Sequence, residues 1–223
     1  MIRRLRYSTV AVVMLLFVSA QASDFVSHRL KAKEANIKSV VLLPPIVNEN
    51  KRGVKGVEGM GKEADTAATE LASGVAAALT SCGFSVERPF TEEALKGNDE
   101  LKYALADVQK RFDDIAPQLY EHHKDVRMGR FTLGDLVAVL NTKGTADALV
   151  IVRATGSMET KGKSFMTGGL LGMAMSGTPT FRSTVALVDA KNGDILFLGD
   201  YISRGLPKDK TYEKSFKNIP VSK

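Results

Sequence analysis

Residues 56–63, GVEGMGKE, carry a spacing that elsewhere does phosphate chemistry. Gly56, Gly61 and Lys62 fit G-x-x-x-x-G-K, a loop that aims backbone N–H groups at phosphate oxygens and sends its lysine to the β- and γ-phosphates. That loop needs a following Ser or Thr to hold Mg²⁺, and here the residue is Glu63. A phosphate loop also follows its strand directly, whereas about eight residues part Val47, the end of the preceding apolar run, from Gly56. The stretch therefore reads as a glycine-rich connection entering a helix, and no nucleotide is expected.

Other reactive residues are sparse. His122 and His123 adjoin Glu121 and Asp125, but adjacent helical residues diverge and a metal needs convergent ligands, so the group reads as a solvated face. Ser176, in MAMSG, lacks the first glycine of a nucleophile elbow. Cys82 is the single cysteine, which excludes an intramolecular disulfide; it closes an apolar helical pattern and reads as a buried small hydrophobe. No catalytic residue, cofactor or metal is assigned. A carboxylate pair assembled from distant segments keeps an enzyme of unknown reaction as an alternative.

The unusual segment is SFMTGGLLGMAMSGTPTF, Ser164 to Phe181, which has no charge between Lys163 and Arg182. Gly168, Gly172 and Ser176 recur every four residues, a small-residue spacing that allows close helix approach. Gly168, Gly169, Leu170, Leu171, Gly172, Met173 and Met175 are the candidate contact residues for a partner or a membrane. Three readings stay open: a flap on the core, a contact with a partner or second copy, and a dip into a membrane.

Stepping outward, the N-terminus addresses the chain. Arg3, Arg4 and Arg6 precede the apolar run Thr9 to Val18, and Ala20-Gln21-Ala22 offers a small-x-small cleavage signal. Residues 1–22 read as a secretory signal peptide cut after Ala22, which places the mature chain in the periplasm, with outer-membrane association in reach. The formal charge of +6 loses three arginines with that peptide, leaving +3. Residues 204–223 hold six basic and two acidic residues and read as a solvated basic tail. The body is near neutral, so no nucleic acid is expected.

Between these ends the pattern predicts one domain, residues 23–203. Ser23 to Asn36 is polar and reads as irregular. SVVLLPPIV, Ser39 to Val47, suits a strand buried on both faces, and Asn48 to Lys62 reads as a loop. Ala64, Ala68, Leu71, Val75, Leu79 and Cys82 share one face of a helix over about 63–82, capped by Gly83. A short strand at 84–88 follows, then a Thr91-capped helix. A charged helical insertion spans about 98–130, broken at Pro117. Thr132 and Asp135 read as a capping-box variant opening a helix to Leu140. Ala148 to Ala154 is a strand, and AKNG joins two final strands, Thr180 to Asp189 and Asp194 to Ser203. The expected fold is α/β, a mixed sheet with packed helices and a C-terminal antiparallel hairpin.

Three stretches resemble small bacterial envelope domains, the group of the TolB amino-terminal domain, CsgG and PelC: KSVVLLPPIVNEN (Lys38 to Asn50), GTADALVIVRATG (Gly144 to Gly156) and STVALVDAKNGDILF (Ser183 to Phe197). The resemblance covers most of 38–90 and 132–203. It implies a non-enzymatic protein that assembles, gates or recruits at the envelope, through self-association or a protein partner. A pore-forming or ring subunit of an export system is the alternative it brings. The chain lacks the lipid-anchor cysteine of CsgG and PelC, and the insertion has no counterpart.

Overall fold

A computed structural model describes residues 21–53, 56–59, 61–159 and 180–220. The elements run β1 (Gln21–Val26), α1 (His28–Lys31), β2 (Ser39–Leu42), β3 (Ile46–Gly53), β4 (Gly56–Gly59), α2 (Gly61–Ser81), β5 (Ser85–Glu87), α3 (Glu92–Leu95), α4 (Asp99–Glu121), α5 (His123–Arg127), α6 (Val137–Leu140), β6 (Ala148–Glu159), β7 (Thr180–Asp189), β8 (Ile195–Arg204) and α7 (Asp209–Phe216). All eight strands form one sheet, ordered β1-β8-β7-β6-β2-β5, with β3 beside β6 and β4 beside β3. β2 pairs in parallel with β5 and β6, and β3 in parallel with β6, while the β6–β7, β7–β8, β8–β1 and β3–β4 pairs are antiparallel. The fold is α/β with a mixed sheet, and its C-terminal strands are antiparallel.

Alternation along the strands builds two cores. Val40, Leu42, Val150 and Val152 face α2 and α7, where Leu71, Val75, Leu79, Tyr212 and Phe216 meet them. Val41, Leu43, Leu149 and Ile151 face the opposite way, onto Leu101, Val108, Phe112 and Leu119 of α4. Such two-sided burial is why these strands read as unbroken apolar runs. The insertion is thus a full layer of the sandwich. Asn98 caps α4 by accepting from Leu101 N, and the helix continues through Pro117, where the sequence predicts a break. Burial of Ala116 and Leu119 against the sheet on either side of that residue outweighs one missing backbone bond.

Four more expectations are corrected. Ser23 to Asn36 is ordered: β1 pairs with β8, Ser27 caps α1 by accepting from Leu30 N, and Leu30 is fully buried. Asn48 to Lys62 extends β3, which pairs with β6 from Ile46↔Arg153 to Arg52↔Glu159, and then turns back as β4 before α2 begins. Thr132 does not open a helix. It bridges Asp194, takes a hydrogen bond from Gly134 N at 3.0 Å and donates to the Asn192 carbonyl at 3.0 Å. The tail is not solvated, because α7 buries Tyr212, Ser215 and Phe216, and Ile219 follows them inside. Among the described residues no helix is long and apolar enough to cross a membrane.

Candidate functional site

The candidate contact residues Gly168, Gly169, Leu170, Leu171, Gly172, Met173 and Met175 lie outside the described residues, as does Ser176. The strands that carry their segment are described. β6 and β7 pair from Ala148↔Asp189 to Ser157↔Thr180, so the chain leaves β6 after Glu159 and re-enters the neighbouring β7 at Thr180, at one end of the sheet. Gly156 opposes Phe181, whose ring lies over it; a Cβ at Gly156 would stand 2.6 Å from Phe181 Cε1. The β3–β4 hairpin reaches the same end, its register setting Lys51 beside Met158 and Arg52 beside Glu159.

Near that end, on the α4 side, the sheet turns polar. Arg153 of β6 pairs with Asp113 of α4 and donates from Nη1 to Thr155 Oγ1 at 3.0 Å. Arg182 of β7 holds Asp200 of β8 with two nitrogens, Nε at 3.0 Å and Nη2 at 3.1 Å. The Asp200 side chain is 7% exposed and that of Arg182 46%, so the arginine covers a nearly buried charge. Two-pronged guanidinium–carboxylate contacts are the strong form of ion pair, and removing one partner would strand the other. Each carboxylate here is engaged by an arginine, one pair tying β6 to α4 and the other tying β7 to β8.

A cleft of about 410 Å³ lies elsewhere, at the carboxyl ends of β2 and β5. Leu42, Leu43, Pro44 and Pro45 form its floor, Ala68, Thr69 and Ala72 of α2 one wall, and Arg88, Phe90 and Thr91 the other. It exists for local reasons. Pro44 and Pro45 stop β2, and β5 ends at Glu87, opposite Val41, so nothing pairs with the far edge of Leu42. The facing positions of α2 are small. Thr91 accepts from Ala94 N, which anchors the second wall. Arg88 makes no hydrogen bond or ion pair among the described residues, whereas the adjacent Glu87 is taken by Lys143 at 3.0 Å.

The remaining sequence candidates disperse. His123 stacks on Phe25, with ring centroids 5.1 Å apart, while the His122 ring nitrogen lies 3.8 Å from Asp125, and no group of ligands able to hold a metal occurs among the described residues. Cys82 is only part-buried; its Sγ donates to the Glu213 carbonyl at 3.6 Å, and burial pushes the thiol pKa up, away from thiolate chemistry. Lys62 and Glu63 stand in the first turn of α2, which here follows a hairpin strand. Sequence reasoning missed Arg88, Arg153 and Arg182. For the last two a signal existed, since a guanidinium inside a strand pattern asks for a carboxylate; for Arg88 none did, because the cleft joins three distant segments.

The fold defines the class: an α/β sandwich with helices on both faces of a mixed sheet. Among solved structures the chain is similar to the PelC dodecamer from Paraburkholderia phytofirmans in space group P6, at 12% identity and a TM-score of 0.41, over 92% of this chain and 99% of that one. It is also similar to a variant PelC dodecamer from the same organism in space group C2, at 10% identity and a TM-score of 0.37, over 90% and 94% of the two chains. No protein-family model and no curated protein sequence matches the chain. At that identity and superposition the likeness carries no inference about activity, partner or assembly.

Proposed function

We propose that this chain is a non-enzymatic binding or assembly protein of the bacterial cell envelope, exported to the periplasm and acting through its uncharged segment. The observation that carries the reading is the register of β6 and β7, by which the chain leaves β6 after Glu159 and returns at Thr180 of the adjacent strand, at one end of the sheet. Within the long uncharged stretch, Leu170, Leu171, Met173 and Met175 are costly to leave in water, by roughly 1.5–3 kcal/mol for each side chain that could be fully buried. Large apolar patches left exposed on a protein surface mark contact sites. The basic, apolar and Ala-Gln-Ala pattern of residues 1–22 supports the compartment.

The test replaces Gly168 to Gly177 with a short Gly-Ser linker. The variant is expected to melt like the parent and to lose self-association in sedimentation, or capture by envelope extract. A much lower melting point makes the segment part of the core. Unchanged melting and association deny it either role and overturn the proposal.

A further inference from the structure

We infer that the cleft at the carboxyl ends of β2 and β5 is a binding site for a small organic carboxylate with an apolar body, of the size and shape of hydrocinnamate. In open α/β sheets ligands settle outside the carboxyl ends of parallel strands, where connections part to opposite faces. Here β2 is that strand. The chain leaves its side toward β5 by way of α2 on one face and returns from β5 to β6 by way of α4 on the other. The opening between those two departures is the cleft.

Its chemistry is asymmetric. Leu43, Pro44, Pro45, Ala72 and Phe90 offer an apolar bed, and the prolines present no N–H there to be satisfied. Both threonine hydroxyls have partners: Thr69 Oγ1 donates to the Asp65 carbonyl at 3.1 Å, and Thr91 Oγ1 accepts from Ala94 N at 3.2 Å. The Pro44 carbonyl is likewise taken, by Gln109 Nε2 at 2.7 Å. Arg88 is the one charged residue that lines the cleft, and its guanidinium has no partner among the described residues. A planar carboxylate matches its two-pronged donor geometry, and a neutral or cationic head does not. The cleft volume, about 410 Å³, sits within the range of small-molecule sites and is too small for a folded partner.

The experiment titrates the full mature chain with hydrocinnamate and, separately, with its neutral amide, following backbone amide NMR shifts and the Arg88 side-chain Nε–H. Saturable shifts are expected at Leu43, Ala72, Arg88 and Phe90 with the acid, at millimolar concentration or below. The amide should bind more weakly, and Arg88→Gln should weaken the acid by about tenfold while leaving the amide unchanged, as expected for a lost charge-assisted pair. Arg88 is exposed, so the substitution is not expected to disturb folding, which unchanged amide spectra elsewhere confirm. Ala68→Leu, at a half-buried position on the α2 wall, should abolish both by filling the cleft. Acid and amide binding alike, acid binding that survives Arg88→Gln, or shifts that never reach these residues each overturn the inference. None of these results bears on the uncharged segment, so this site and the proposed function fail separately.

Discussion

Phe216→Ala isolates the largest departure from the sequence reading, the docking of the C-terminal segment. Phe216 is 0% exposed, and its ring lies 5.9 Å from that of Phe197 on β8 and 6.4 Å from that of Tyr212. Removing a buried phenyl group loses its transfer energy and leaves a void that a sheet on one side and α2 on the other cannot close; such changes cost about 3–5 kcal/mol. For a domain of this length each kcal/mol moves the melting point by roughly 2–4 °C, so a drop of about 6–20 °C is expected. Circular dichroism melts and urea titration of the mature chain measure it, with Lys214→Ala, an exposed position on the same helix, as the control near zero. Because total stabilities run to about 5–15 kcal/mol, the variant should remain folded at low temperature and the loss should be measurable. A loss under about 1 kcal/mol would refute the reasoning, since it would mean that α7 does not hold its place against β8 and that the tail is solvated after all.

Three further outcomes follow from the same packing. Gly199→Ala should cost about 1–3 kcal/mol in urea melts, because a methyl there would overlap the Tyr201 hydroxyl in the α7 core. Burial pushes the Asp147 carboxyl upward, but bonds from the Ser39 and Lys38 amides and the Ser39 hydroxyl outweigh it and hold its pKa below the usual value. Its stabilisation is therefore complete above about pH 4 and lost as pH falls through the lower folded value, and Asp147→Asn should flatten the stability profile in that acid window, as followed by urea melts at stepped pH. Deleting Pro45 should destabilise by about 1–3 kcal/mol more than Pro45→Ala does, on the scale of one misplaced apolar side chain; equal urea midpoints for the two would deny that the residue count there sets the register.

What was legible was what the chain encodes locally. Val40 to Leu42 and Ala148 to Val152 are apolar on both alternating faces and are strands. Asn192-Gly193 turns the final hairpin, with Gly193 at φ +75°, where a side chain would also strike Gly134. What was not legible depends on partners far along the chain. β1 is largely polar, and pairs because β8 offers an edge; β3 turns polar and charged after Val47, and pairs because β6 is 12 residues long and β2 covers only its first part. The tail did carry a signal. Tyr212, Phe216 and Ile219 step by four and three, the spacing of one helical face, but lysines at Lys208, Lys210, Lys214 and Lys217 made composition outweigh period. The cleft was not legible, because Pro44, Ala72 and Phe90 meet only once the sheet has formed.

The two prolines connect these features. β2 pairs with β6 up to Leu42↔Val150, and β3 resumes at Ile46↔Arg153. Three residues, Leu43 to Pro45, therefore stand against two, Ile151 and Val152, which is one residue in excess. The parity of the side chains confirms it. Leu42 faces the α2 core and Leu43 the α4 core, so strict alternation would send Ile46 toward α2; instead Ile46 packs on the α4 side and Val47 on the α2 side. An extra residue flips every following side chain, and proline suits the place because it has no N–H to leave unpaired. Leu43 N still donates to the Val150 carbonyl at 3.0 Å before the ladder lapses, and Gln109 of α4 satisfies the Pro44 carbonyl. The same irregularity thus ends β2 early, which opens the cleft beside Arg88, and re-phases β3, which lets β6 carry the β3–β4 hairpin out to the end of the sheet where the chain leaves β6 after Glu159 and re-enters β7 at Thr180.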